Sequence, residues 1–542
     1  MTKADGVRPV NSPRAERLAV AMLIVLVGTA LLTGFVGIDY GPHWDEGYVT
    51  EELSRSYRNG LFLPRRYNYP SVTYDIALAG SLPYLAVRAS QLAGQMNIGW
   101  GAAFLQARAS IDSHDFLLYT RAVFLLLSAG LTPLWTFLLI RSWGRGRWEA
   151  LLGAAILASS WELAYHARWI APDAILMQFG VLAMWLTFEA LRAASENRGA
   201  WLMAAAASAA LACGSKYFGG IFLLPVLAAA MWERQTANER NAKRRIALVL
   251  LVFAAAFLIS TPGAFVEPAA FFTDVRREVM HYQAGHYGNT VAPITQHGWL
   301  LAAYLGFVSF SHFAPISLLF SGLAIHGAVG LIRETQSPPQ SRMFLLLPLL
   351  FAAYMSLQRV MIARNYLLLL PFLAVLAARG SASLLQRIRP ANFRIAGVAA
   401  LAGLLLVNLA WLARSAISIA NSGTIDRAEA IVAHLLRYSG TAFCLSEPVS
   451  QLSPPGFDAS NVHDETMVST DCQYMLSTDE IPLTEQNGAK WLANRPGRYH
   501  LVAGSYNLNF DYYPWWPGPP KIVALDAADA VEVGLLVFDD SR

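Results

Sequence analysis

Residues 18–38 read LAVAMLIVLVGTALLTGFVGI, an apolar run without a charged residue. A helix of about 20 apolar residues crosses roughly 30 Å of hydrocarbon, so this run reads as a membrane span. Comparable runs recur at about 116–140, 148–165, 174–192, 200–215, 217–232, 245–262, 313–332, 343–358, 366–379 and 395–416. Hydrophobic residues make up 55% of the 542 and charged residues 14%, against about 25% charged in soluble domains. The expected fold is a polytopic α-helical membrane protein with about 11 transmembrane helices. The net charge of +4 gives no argument for nucleic acid, because in such a chain the placement of Lys and Arg matters more than their sum. The first run ends in GFVGIDYGP, without a small-residue cleavage site, which favours a retained helix over a signal peptide.

Charge placement sets the expected topology. One apolar patch, Val72–Val87, is interrupted by Asp75 and Pro83. If it crossed the bilayer, the basic loops RSWGRGR (141–147) and NERNAKRR (238–245) would face outward. If it lies on the membrane surface, every compact basic loop falls on the inner side, as the positive-inside rule prefers. Residues 1–17 then form a cytoplasmic tail and residues 18–416 the membrane domain. The loops 39–115 and 263–297 reach the outer face, as does the C-terminus. The expected location is the inner (cell) membrane. Residues 420–542 change character, with Pro, Gly, Asp and Asn clusters, a helix-like stretch at Arg427–Tyr438 and strand-like runs at His500–Ala503 and Val531–Phe538. They are expected to form a small extracytoplasmic α/β domain. Cys444 and Cys472 fall within it, in a compartment that permits a disulfide.

Polar residues gather at the outer ends of the spans. The first loop opens with GPHWDEGYVTEE (41–52), in which Asp45 and Glu46 stand side by side at a membrane exit. Carboxylates there are costly without partners, water or a function. Such a group can position an incoming hydroxyl or amine and take its proton, or can cap a surface helix. Glu51 and Glu52 read as ordinary acids of that helix's surface. Further along the loop come Arg65, Arg66, Tyr67, Asn68 and Tyr69. A short turn, YHARWIAPDAILM (165–177), brings Arg168 and Asp173, either as an interfacial ion pair or as a second carboxylate of the same pocket. Lys216, in CGSKYFGG (213–220), snorkels to the interface or meets an anionic headgroup. The loop FFTDVRREVMHYQAGHYG (271–288) holds His281 and His286, five apart and so not a one-face metal pair. Asp274, Arg276, Arg277 and Glu278 have helical spacing, which reads in part as a solvated face. RVMIARNY (359–366) adds Arg364 and Tyr366.

Taken in order, HWDEGY, YNYPSV, PDAIL, GSKY, EVMHYQAGHYG and ARNYLLLLP resemble the C-type-fold (GT-C) membrane glycosyltransferases. The specific likeness is to the family 39-like superfamily of protein mannosyltransferases and aminoarabinose transferases. The resemblance implies an enzyme of the cell envelope that transfers a hexosyl or pentosyl group, with inversion, from a polyprenyl-phosphate sugar to a lipid, protein or glycan acceptor at the outer face. It implies catalytic roles for Asp45 and Asp173, with Glu46 in support, and donor-phosphate binding by Lys216, Arg364, Tyr366, Arg168 and Arg66. His281, His286 and Tyr69 would line the substrate loop. At YNYP the chain departs from the family, whose members carry His-Pro-Pro-Leu or an acidic–lysine–proline run there. A divalent metal is therefore not assigned, and no other cofactor is expected. The readings from other classes are a secondary transporter or lipid flippase, and a non-catalytic membrane assembly protein. A transporter concentrates its polar groups near the bilayer midplane, often in repeats, whereas here they gather at the outer ends of spans.

Overall fold

The computed structural model describes residues 13–39, 45–232, 239–285, 290–311, 313–334 and 339–422, together with five strands beyond them. Among the described residues, six helices are long and apolar enough to cross a membrane: Arg14–Phe35, His114–Ser142, Pro172–Arg192, Ala314–Arg333, Ala363–Arg387 and Ala391–Arg414, with a shorter apolar helix at Tyr217–Trp232. The chain is thus a multi-pass membrane protein. The eleven expected apolar runs are largely helical, six of them in these long apolar helices, and several deviate in ways that bring polar groups together.

The run expected as one span over 148–165 is broken at Ser159–Ser160 into helices Arg147–Ala158 and Trp161–His166. Apolarity alone does not register the break, because the Ser159 carbonyl is satisfied from a distant helix. Asn408 Nδ2 donates to Ser159 O at 3.0 Å and Phe310 O at 3.1 Å, and Ser160 Oγ donates to Ser309 O at 2.8 Å. The span beginning at His114 contains a π-helical turn, Leu126–Gly130. There Ser128 Oγ reaches Ala167 O, 3.1 Å away in the short turn. Inserted turns of this kind replace ladder bonds with side-chain bonds and re-aim the rest of the helix.

The core packs Pro172–Arg192 against Ser195–Ser215 and Leu131–Ser142, and Ala314–Arg333 against Leu370–Arg387. At the last crossing Gly327 faces the backbone of Leu376 while Gly380 faces that of Leu323. Only glycine allows two helix backbones to approach so closely on both sides.

Between the first two spans lie helix α2 (Glu46–Asn59) and helix α3 (Val72–Met96). Helix α1 (Pro13–Phe35) precedes them. Gly60, with φ of 68°, ends α2 in a left-handed cap, a conformation that costs glycine nothing. Within α3, burial pushes the Asp75 carboxyl up to about 7 from its usual 3.8. The folded state therefore holds this proton more tightly than the unfolded chain. The associated stability is fully present below about pH 4 and is lost as pH rises to about 7. Thermal unfolding of the solubilised protein should accordingly show a falling midpoint across this window, and Asp75→Asn should flatten it and raise the midpoint at neutral pH. An unchanged profile in the variant would assign the dependence elsewhere.

In the C-terminal region the described strands are β1 (Phe443–Leu445), β2 (Val462–Asp464), β3 (Tyr474–Thr478), β4 (Arg498–Tyr506) and β5 (Glu532–Asp539). They form one sheet in the order β2-β1-β3-β5-β4, with β1 parallel to β2 and β3, and β5 antiparallel to β3 and β4. The strand-like run His500–Ala503 falls on β4, and the run Val531–Phe538 falls on β5 except for Val531, which lies outside the described residues. The helix-like stretch Arg427–Tyr438 and Cys472 lie outside the described residues, and so does the question of a Cys444–Cys472 bridge.

Candidate active site

Asp45 occupies the position before α2, yet its side chain makes no capping hydrogen bond to the helix. Its carboxylate is 5% exposed and turns to other partners. Arg364 Nη2 lies 3.1 Å from Asp45 Oδ2, and the Tyr69 hydroxyl 3.5 Å from Oδ1. Capping is therefore not what holds Asp45. Arg364 also lies 3.8 Å, through Nε, from Asp173 Oδ2. The other oxygen of Asp173 accepts from Lys216 Nζ at 2.8 Å, and Lys216 donates again to Asn365 Oδ1 at 2.7 Å. All four charged groups are buried. Four separate chain segments thus meet in one alternating row of charges: Asp45, Arg364, Asp173, Lys216.

Local structure explains why each arrives. Pro172 begins the helix Pro172–Arg192, so Asp173 sits in its first turn, where a carboxylate is favoured by the helix dipole. Lys216 ends the helix Ser195–Ser215 in extended conformation (φ −151°, ψ 135°), and the following 3-10 turn, Tyr217–Phe222, starts from it. Gly219 packs against the carbonyl of Ala212 where a Cβ would clash, which closes the bend. Arg364, Asn365 and Tyr366 lie on the 3-10 turn Ala363–Leu369. Burial alone would lower the Lys216 ammonium's affinity for its proton, but Asp173 beside it reverses the sign and keeps it charged. Its Nζ also lies 5.4 Å from the Tyr69 ring centre and 5.1 Å from that of Phe218, contacts that favour a cation. Asn365 Oδ1 accepts from both Lys216 and, at 3.4 Å, Tyr282, which fixes the amide's orientation. Its Nδ2 is buried and has no hydrogen-bond partner among the described residues.

The other expected site residues have partners of their own. Glu46 is held by Arg121 in a two-point pair, Nε–Oε1 2.8 Å and Nη2–Oε2 2.6 Å, and accepts from Ile170 N at 3.2 Å. Arg168 donates to the carbonyls of Val36 (3.3 Å) and Gly37 (3.2 Å) beyond the end of α1, and to Ala164 O (3.2 Å). A cation on the last carbonyls of a helix suits their partial negative charge. Arg66 is half-exposed and pairs with Glu51 at 3.0 Å and Glu52 at 3.5 Å. Tyr366 is fully buried and hydrogen-bonds His297, while His297 holds Gln358 O at 2.9 Å through Nδ1. His281 is half-buried with its ring edge-on to Tyr282, and burial followed by Lys216 holds its imidazole below the usual range. His286 lies outside the described residues.

Several participants escape sequence reading. Asn365 and Tyr282 carry no charge and stand beside residues that do. Glu52 reads as surface charge, yet it is 2% exposed, bound to Arg55 at 2.6 Å and to the backbone N–H of Arg65 at 3.2 Å. Glu278 reads as part of a solvated helix face, yet partial burial raises its carboxyl, with Lys216 and Asn68 close enough to oppose the shift. Among the described residues no group of three or more His, Cys, Asp and Glu is placed to hold a metal ion.

Residues 108–273 match the family described as dolichyl-phosphate-mannose-protein mannosyltransferase. That segment contains Asp173 and Lys216. No curated protein matches the sequence. Among solved structures, the oligosaccharyltransferase of Archaeoglobus fulgidus in its apo form is similar over 94% of this chain and 76% of that one, with 13% identity and a TM-score of 0.50. ArnT from Cupriavidus metallidurans, bound to undecaprenyl phosphate, is similar over 96% of this chain and 99% of that one, with 13% identity and a TM-score of 0.46. The resemblance read from the motifs therefore holds: the chain resembles the C-type-fold (GT-C) membrane glycosyltransferases, with the mannosyltransferase pattern over residues 108–273.

Proposed function

We propose that this protein transfers a sugar from a polyprenyl-phosphate donor to an acceptor at the outer face of the inner (cell) membrane. The observation that carries the reading is the meeting of Lys216 and Arg364, from segments far apart in the chain, beside two buried carboxylates. Two cations and the Asn365 amide N–H, which has no partner among the described residues, suit a phosphate that must be gripped more tightly as it leaves. Asp45 takes the proton of an acceptor hydroxyl or amine as the acceptor heteroatom bonds to the anomeric carbon. The bond from that carbon to the phosphate oxygen breaks in the same step, with inversion, and polyprenyl phosphate departs onto Lys216 and Arg364. Asp173 holds both cations in place. The topology that goes with this has about 11 spans, residues 1–17 inside and residues 420–542 outside as a small α/β domain. Arg168 and Glu46 act through the backbone they hold and Arg66 at the rim, while Tyr366 fixes the turn that carries Arg364.

The test is reconstitution in liposomes with radiolabelled polyprenyl-phosphate sugars and extracts of the cell envelope as acceptor. Sugar transfer with release of polyprenyl phosphate is the expected result. Lys216→Met should raise the donor KM by about tenfold or more, because a charge-assisted hydrogen bond to the donor is lost. Transfer by this variant at the wild-type donor KM would overturn the phosphate assignment.

A further inference from the structure

On the helix Pro268–Ala284, Phe271, Asp274, Glu278 and Tyr282 are spaced by three and four residues and so share one face. Three of them have fixed positions. Phe271 is buried against the rings of Tyr67 (5.7 Å) and Tyr217 (6.1 Å). Asp274 Oδ2 accepts from Tyr67 N at 2.9 Å, and the Tyr282 hydroxyl donates to Asn365 at 3.4 Å. Phe272, Val279 and Met280, on other faces, are exposed. Glu278 lies between Asp274 and Tyr282 and is therefore presented to the wall between the Tyr67–Tyr69 loop and the Lys216–Asn365 pair. Asn68, Lys216 and Asp45 are all close enough to act on its charge. Tyr48 and Tyr69 are close enough to feel it in turn. The Tyr48 ring is 40% exposed and stands edge-on to Tyr69 at 5.7 Å.

We propose that Glu278 and Asn68, with the Tyr48 ring beside them, form the subsite that recognises the sugar ring carried on the donor. The inference rests on the donor-phosphate assignment of Lys216 and Arg364. A sugar ring presents neighbouring hydroxyls that both donate and accept, and apolar C–H faces. A carboxyl offers two acceptor oxygens, an amide offers a donor and an acceptor, and a half-exposed aromatic ring covers C–H surface. The sugar is bonded directly to the phosphate, so a group adjacent to Lys216 lies beside the sugar whenever the phosphate sits on the lysine. The half-buried carboxyl, with no ion pair among the described residues and the neutral Asn68 amide beside it, is able to exchange that neighbour for a hydroxyl.

The experiment compares two probes on the full-length protein in nanodiscs: undecaprenyl phosphate alone, and a panel of undecaprenyl-phosphate sugars including mannose, glucose and arabinose. Wild-type protein should bind its preferred sugar-bearing lipid more tightly than the bare phosphate. Glu278→Gln should weaken the sugar-bearing lipid by about tenfold, the scale of one hydrogen bond to a charged group, and the bare phosphate by less than about twofold. Asn68→Ala, which leaves the helix untouched, should act in the same direction. Equal weakening of both probes, or of neither, overturns the subsite while leaving the phosphate assignment intact. If wild-type protein binds neither probe, the donor assignment falls and the subsite with it.

Discussion

Asp45→Asn is expected to lower sugar transfer by about 10²–10⁴-fold, the range set by loss of a positioned general base, in protein that still folds. The asparagine is isosteric and keeps an oxygen for the Tyr69 hydroxyl, which reaches Asp45 Oδ1 at 3.5 Å, but it cannot accept the acceptor's proton. Arg364 does not become an isolated charge, because Asp173 remains 3.8 Å from its Nε. The thermal midpoint should therefore move little, whereas removing Arg364 would leave the buried Asp45 carboxylate without its cation. The measurement is single-turnover transfer in liposomes at saturating donor, with thermal unfolding of the same preparation alongside. Near-normal transfer by the asparagine variant would end the assignment of Asp45 as base. Binding of undecaprenyl phosphate supplies the control: Lys216 and Arg364 are still present, so it should survive the substitution.

How much of this was legible in the sequence depends on what kind of interaction places each residue. Spans are visible because hydrophobic length is a local property, and six of the eleven apolar runs fall in helices long and apolar enough to cross a membrane. Asp45, Asp173, Lys216 and Arg364 stand out because a charge at a span end is improbable without a function, and the structure brings all four together. Distinguishing Asp45 from Glu46 is beyond a linear reading. The two are neighbours, but helix geometry turns adjacent side chains to different directions, and one meets Arg364 while the other meets Arg121. The same holds for Glu278, whose burial is decided by the Tyr67–Tyr69 loop docking on its helix. The break at Ser159–Ser160 is equally hidden, since its stabilising donor, Asn408, lies 249 residues away from Ser159.

Glu46 provides the sharpest separation of structural from chemical roles. Arg121 is 1% exposed and Glu46 4%. The pair joins the start of α2 to the helix His114–Leu125, and through Ile170 N to the turn before Asp173. Arg121 also donates to Ile38 O at 2.7 Å and lies 4.7 Å from the Trp169 ring centre. Glu46→Gln leaves this guanidinium buried without its counter-charge, which costs about 3–5 kcal/mol for a buried pair broken on one side. The expected result is a large fall in thermal midpoint and in yield of folded protein, with turnover per folded molecule reduced by less than about tenfold. Replacing both partners with Met removes the stranded charge and should recover much of the lost stability, because well-packed apolar pairs substitute for buried ion pairs. The recovery stays incomplete, since Ile170 N–H then loses its acceptor, a cost of about 1–3 kcal/mol. The opposite pattern, with stable Glu46→Gln protein and transfer lost, would place Glu46 beside Asp45 in the chemistry. That outcome would require the Arg121 pair to open when donor binds, because in this arrangement both carboxylate oxygens of Glu46 already hold the guanidinium.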